Sequence, residues 1–204
     1  MDSYSIHELI GDTDIYLIDQ ILKGRYQQKE LILDAGCGEG RNMHWFLLNH
    51  HCIYGIDNNY NHIAGLKLEH PELPPIRLQV ADINSMPFGD NFFHHIISSA
   101  VLHFANSTSH FYGMIKEMCR VLKPNGSLFI RMTTNIGIED KVKHLGHGVY
   151  ELPDNTTRFL LTRDMLKELL TNFPLVLSEP FKNVNVSDQR CMCTLLLQKH
   201  AAKS

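Results

Sequence analysis

Short apolar runs alternate along this chain with stretches whose apolar positions recur every three or four residues. The first pattern marks strands covered on both faces, the second amphipathic helices. Runs at 31–34, 52–57, 76–80, 93–98 and 127–132 predict five strands, and 175–178 and 191–198 predict two more. An N-terminal helix capped by Asp12 or Thr13 carries Ile15, Ile18 and Leu22 on one side. The helix after the first strand turns Met43, Phe46 and Leu47 inward. Asn58 or Asn59 caps the next helix, which Pro71, Pro74 and Pro75 break. A cap within 107–109 starts a helix that aligns Phe111, Met114, Ile115, Met118 and Leu122, and Pro124-Asn125-Gly126 is a turn. Residues 134–157 read as a loop, and Thr162 caps a last helix reaching about residue 171. Such alternation predicts an α/β fold, a mostly parallel sheet with helices on both faces. No helix fits between the last two strands, so an antiparallel hairpin is expected there.

The chain of 204 residues suits one domain, and 44% apolar with 20% charged residues is a globular composition. A formal charge of −3 and the lack of any Lys/Arg cluster argue against nucleic acid as partner. Met1-Asp2-Ser3-Tyr4 does not read as a signal peptide, and no apolar run approaches the ~20 residues of a membrane span. No membrane partner is therefore expected. The five cysteines are scattered, which suits reduced thiols in a cytoplasm. Among the 13 histidines only His50-His51 (beside Cys52) and His94-His95 cluster, a poor arrangement for metal, so no metal is expected.

Candidate chemistry begins at Leu31-Ile32-Leu33-Asp34-Ala35-Gly36-Cys37-Gly38-Glu39-Gly40-Arg41-Asn42. A buried strand ends in an acid, then three alternating glycines lead into a helix. Glycines let a ligand approach backbone and tolerate positive φ. The dinucleotide fingerprint G-x-G-x-x-G would need its third glycine at position 41, which is Arg41. Asp34, Asp57 and Asp82 end the first three strands or sit just past them. In a parallel sheet those positions share one edge and one crevice. Asp57 can accept both hydroxyls of a ribose, as an acid about 20 residues on does in dinucleotide binders.

This pattern resembles the class I S-adenosylmethionine-dependent methyltransferases. The segment Phe93-His94-His95-Ile96-Ile97-Ser98-Ser99-Ala100-Val101-Leu102-His103-Phe104 is similar to the family's fourth-strand region, most like the ubiquinone-biosynthesis and other small-molecule enzymes. Arg120-Val121-Leu122-Lys123-Pro124-Asn125-Gly126-Ser127-Leu128 resembles its turn into the fifth strand. The resemblance covers roughly residues 30–133. It implies a single Rossmann-like domain with a seven-stranded, mostly parallel sheet whose last strand is antiparallel. Residues 1–28 would form a helical cap, and 134–157 a lid or substrate loop. It implies S-adenosyl-L-methionine as cofactor and S-adenosyl-L-homocysteine as product, bound by Asp34, Gly36, Cys37, Gly38, Asp57, Asn58, Asp82, Ile83 and Ser99. Asp34 would face the methionine ammonium, and Asp82 the adenine amine with Ile83 against the ring. Ser99-Ala100-Val101 replaces the Asn-Pro-Pro-Tyr of enzymes acting on nucleic-acid bases.

His103, just past the fourth strand, is the candidate general base. Tyr16, His147, Tyr150 and Arg158 are candidates for the substrate side, and the expected acceptor is a small molecule. Monomer and homodimer both stay open. One alternative is a module that binds the cofactor and transfers nothing. Another is a short-chain dehydrogenase, suggested by Tyr112 and Lys116 with Ser99 upstream. Asp57→Ala should cost most of the cofactor affinity, and Cys37→Ser should be mild.

Overall fold

The computed structural model describes residues 5–200, so the reading of Met1-Asp2-Ser3-Tyr4 lies outside the described residues. Two helices, α1 (Ile6–Ile10) and α2 (Ile15–Leu22), precede the first strand. Then follow β1 (Leu31–Ala35), α3 (His44–Leu48), β2 (Cys52–Asp57), α4 (Tyr60–Glu69) and β3 (Leu78–Val80). The second half runs β4 (Phe93–Ser99), α5 (Thr108–Val121) and β5 (Leu122–Thr134), then three short strands, β6 (Lys143–Gly146), β7 (Val149–Glu151) and β8 (Thr157–Phe159). Helix α6 (Arg163–Asn172) leads to β9 (Leu175–Leu177), β10 (Lys182–Val186) and β11 (Arg190–Lys199).

The main sheet has the order β10-β11-β5-β4-β1-β2-β3, with β9 also on β11. Strands β1 to β5 pair parallel, and β11 runs antiparallel to β5, β9 and β10. The last two predicted strands do pair antiparallel, as β9 and β11, but β10 lies between them in the chain and forms the hairpin with β11. The sheet has eight strands rather than seven. The addition is β10, whose Val184 and Val186 are exposed, so it carries no apolar run to betray it.

Alternation builds a core on each face. Leu33, Ile96, Leu128 and Ile130 pack with α5 and α6, while their neighbours Ile32, Ile97 and Phe129 pack with α2, α3 and α4. Ser107 caps α5 by accepting from the His110 amide, and Phe111, Met114, Ile115 and Met118 are buried beneath it. Asn59 caps α4 and Thr162 caps α6. Asp14, not Asp12 or Thr13, caps α2. Its buried face is Leu17 and Gln20, leaving Ile15 71% and Leu22 82% exposed, against the expected Ile15–Ile18–Leu22 face.

The stretch expected as loop holds a small antiparallel sheet, β6-β7-β8. Its first hairpin turns on His147 and Gly148, both at positive φ (54° and 84°), the geometry a two-residue turn needs to match strand twist. A Cβ on Gly148 would stand 2.4 Å from the Phe159 ring, so glycine is required there sterically as well.

Candidate functional site

Strands β1 and β4 are neighbours from which the connections run to opposite sides of the sheet, and such a switch point opens a crevice at the carboxyl ends. A cavity of about 470 Å³ lies there. Gly36 and Gly38 from the loop after β1 line it, as do Asp57 and Asn58 at the end of β2. Asp82 and Ile83 follow β3, and Ala100, Val101 and Phe104 follow β4. His62 of α4 and His110 and Met114 of α5 also line it.

The glycine loop is tied down from the next strand. The Gly36 and Cys37 amides both donate to the Ile56 carbonyl, at 2.8 and 2.9 Å. The Gly38 amide donates to Asp57 Oδ2 at 2.9 Å. Gly36 has φ +81°, and a Cβ there would lie 2.4 Å from Val101 Cγ2. Asp57 Oδ1 accepts from the Asn59 amide at 2.8 Å and lies 3.3 Å from His62 Nδ1. One carboxylate therefore positions the loop, the start of α4 and a histidine. Asp82 Oδ1 accepts from the amide and the side chain of Asn84, which holds its loop in an Asx turn.

Asp34 is the penultimate residue of β1, two residues before Gly36, and is 1% exposed. Neither carboxylate oxygen has a hydrogen-bond partner. Burial pushes its carboxyl up to about 7, Arg41 pulling it down and Asp57 adding to the rise. A buried carboxylate left unpaired is costly, and a cation alongside would remove the cost.

Of the expected cofactor residues, Gly36, Gly38, Asp57, Asn58, Asp82 and Ile83 line the cavity. Asp34, Cys37 and Ser99 stand behind the wall. Ser99 meets Arg41 Nη2 at 3.5 Å. Cys37 turns into the core against Met43, and its thiol Sγ would be 2.9 Å from a Cβ on Gly55. Cys37→Ser is thus expected to leave cofactor affinity near that of the unmutated protein while losing about 1–3 kcal/mol of stability by burying a hydroxyl, measurable by urea denaturation.

His103 lies in a short 3₁₀ turn (Leu102–Phe104), is buried, and its Nδ1 has no partner. Burial holds its pKa down to about 4, helped by the charges of Arg158 and Arg190. It is neutral at pH 7, and Phe104 rather than His103 lines the cavity. Tyr16 lies under the Arg131 guanidinium, 4.5 Å from its carbon, and Arg131 Nε pairs with Asp14 at 2.8 Å. The His147 carbonyl accepts from Thr108 Oγ1 at 3.4 Å, which rests the small sheet on the start of α5. The Tyr150 ring sits 4.7 Å from His144, and the Arg158 guanidinium 5.2 Å from Phe104. Tyr112 donates to Glu168 at 2.6 Å on α6, and neither it nor Lys116 lines the cavity, which leaves the dehydrogenase set without a site.

His62, His110 and the positive-φ Ala100 (63°) were not singled out by sequence. His62 could have been, as the third helical residue after the Asn59 cap, where side chains point back to the helix start. Among the described residues no three His, Cys, Asp or Glu side chains form a metal cluster, and no helix is long and apolar enough to cross a membrane.

Residues 33–130 match the family model described as a methyltransferase domain. A protein of Encephalitozoon cuniculi (strain GB-M1) named as a methyltransferase is 32% identical over 111 residues, 54% of this chain and 49% of that protein. The tRNA (carboxymethyluridine(34)-5-O)-methyltransferase of Arabidopsis thaliana is 31% identical over 105 residues, 49% of this chain and 23% of that protein. The chain thus spans about half the first of these relatives and less of the second. In fold it is similar to the 1,6-didemethyltoxoflavin-N1-methyltransferase of Burkholderia thailandensis, crystallised with 1,6-didemethyltoxoflavin and S-adenosylhomocysteine. The TM-score is 0.67 at 18% identity, covering 90% of this chain and 76% of that one.

Proposed function

We propose that the chain is a class I S-adenosylmethionine-dependent methyltransferase that transfers the methyl group of S-adenosylmethionine to a small-molecule acceptor, a reading supported by the methyltransferase-domain match over residues 33–130 and by the fold. The observation that carries this reading is the unpaired, buried Asp34 carboxylate beside a glycine loop and two further acids. That set fits a ligand with a cationic head and a nucleoside. Asp34 would face the ammonium, Asp57 the ribose hydroxyls, and Asp82 the adenine amine with Ile83 beside the ring. The cofactor supplies an electrophilic methyl group on a sulfonium. The chain's own residues orient and desolvate: Gly36 and Gly38 admit the ligand to the backbone, and Val101 and Met114 keep water from the apolar wall. His103, neutral at pH 7 and one residue from the wall, stands as the candidate base toward an acceptor bearing a proton.

The charge of −3 without a basic cluster supports a small acceptor. RNA is the second reading, favoured by the similarity to the plant tRNA enzyme. Tritiated S-adenosylmethionine incubated with a metabolite extract and, separately, with total RNA tests both. Label in the metabolite fraction is the expected result; label only in RNA overturns the acceptor assignment. Cofactor binding without release of S-adenosylhomocysteine in either mixture would identify a non-catalytic binding module. Calorimetry with S-adenosylmethionine, S-adenosylhomocysteine and NADH should give micromolar binding of the first two and none of the third.

A further inference from the structure

The acceptor side of this site carries a cation that the fold leaves unneutralised. Arg158, in the middle of β8, makes no salt bridge among the described residues, and its Nη1 donates to the Thr157 carbonyl at 2.7 Å. Two other arginines are treated differently: Arg190 pairs with Asp154 at 2.5 Å, and Arg131 with Asp14. The Arg158 guanidinium instead lies over Phe104, which is 64% exposed yet lines the cavity. An aromatic ring left open at a cavity mouth forgoes burial that most rings of its size obtain.

Register extends the arrangement. Tyr150 stands opposite Arg158 across β7 and β8, and His144 opposite Tyr150 across β6 and β7. Opposed residues share a face, so His144, Tyr150 and Arg158 form one row that ends at Phe104 and the cavity. The depressed pKa of the buried His103 ring reflects burial first, and the positive charges of Arg158 and Arg190 after it.

We propose that Arg158 and Phe104 select the methyl acceptor, and that this acceptor is a free small molecule with a planar ring and an anionic group. The guanidinium offers a planar fork that a carboxylate or phosphate can engage through two hydrogen bonds, and Phe104 offers a surface for the ring. A nucleic acid would need several phosphate contacts, and the sequence has no Lys/Arg cluster to supply them. The proposal rests on the methyltransferase reading, because only a methyl donor in the cavity makes its mouth an acceptor site.

The test has two stages. Calorimetry with S-adenosylhomocysteine comes first, and absence of binding to the unmutated protein overturns the methyltransferase reading itself. The protein saturated with S-adenosylhomocysteine is then titrated with benzoate, phenyl phosphate and the uncharged benzamide. At least one anion is expected to bind about tenfold or more tightly than benzamide, and which one does so separates carboxylate from phosphate. Arg158→Ala should abolish that preference with S-adenosylhomocysteine affinity held within about twofold, and Arg158→Lys should keep part of it. Arg158→Gln replaces Arg158→Ala if the latter loses S-adenosylhomocysteine binding, and loss in both assigns Arg158 to the fold and overturns the proposal. Equal binding of benzamide, no binding of either anion, or a preference that survives without Arg158 also overturns it. Arg158-dependent labelling of RNA overturns the choice of a free small molecule.

Discussion

Asp34→Asn is expected to stabilise the ligand-free protein at pH 8 and, at the same pH, to weaken its hold on the cofactor. Burial raises the Asp34 carboxyl to about 7 in the folded state, well above its ordinary range. A raised carboxyl favours folding fully only below its unfolded value of about 4, and that contribution is lost as pH rises from there through about 7. At pH 8 the unmutated protein therefore carries a buried charge without a partner. Replacing it by a neutral amide of the same shape should recover about 1–3 kcal/mol, visible as a melting temperature higher by several degrees. Binding should respond the opposite way. A ligand ammonium gains from the ionised carboxylate alone, so affinity for S-adenosylhomocysteine should fall as pH drops below about 7 in the unmutated protein. Asp34→Asn should bind about 10–100-fold more weakly at pH 8, with that pH step removed. Thermal melts and calorimetry across pH 5.5–8 check both halves; a pH-independent affinity in the unmutated protein would remove Asp34 from the ammonium.

Asp57→Ala should have the larger effect on binding, for a reason beyond any contact with ribose. Its carboxylate accepts from the Gly38 and Asn59 amides and lies beside His62, so alanine frees the glycine loop and the first turn of α4 together. A loss of at least about 100-fold in S-adenosylhomocysteine affinity is expected, with about 1–3 kcal/mol of stability, since two charge-assisted hydrogen bonds go at once. Asp57→Asn keeps one acceptor oxygen and should fall between the two. If Asp57→Ala and Asp57→Asn bind alike and both retain unmutated stability, the double role assigned to this side chain is wrong. Calorimetry paired with urea denaturation separates the binding loss from the folding loss.

The strands that carry the acids were legible because each is a short apolar run buried on both faces, as 31–34 and 52–57 are, and the parallel order then puts their ends together. The face of α2 was not legible. Gln20 is 2% exposed because it is engaged by Arg25, Asp19 and Glu179, an ionic cluster assembled from distant parts of the chain, while Ile15 and Leu22 face outward. Strands β6 to β8 escaped notice because they are three or four residues long and rich in polar side chains, without the alternation that marks a half-buried strand. Asp57 shows another limit. Its position at a strand end is readable, but its hydrogen bond to the Gly38 amide depends on how the loop folds back over β2. His62 and His110 reach the cavity from helices, where a one-residue change in packing decides which side chain points inward.

The small sheet enters and leaves the body of the protein at one place. Thr134 and Leu161 are joined by a bridge, the Thr134 hydroxyl donating to the Leu161 carbonyl at 2.6 Å, and the Leu161 amide returns to the Thr133 carbonyl at 3.1 Å. Residues 135–160 are therefore spliced into the chain like a cassette whose two ends are already clasped. Everything assigned to the methyl donor lies upstream of it, between Asp34 and Met114, whereas Tyr150 and Arg158 lie inside it. On the proposed roles, exchange of this cassette between related chains would replace the Arg158 side of the acceptor site, with Phe104 left in place, without touching how the donor is held, a division of labour that lets selectivity diversify by recombination while the donor pocket stays constant.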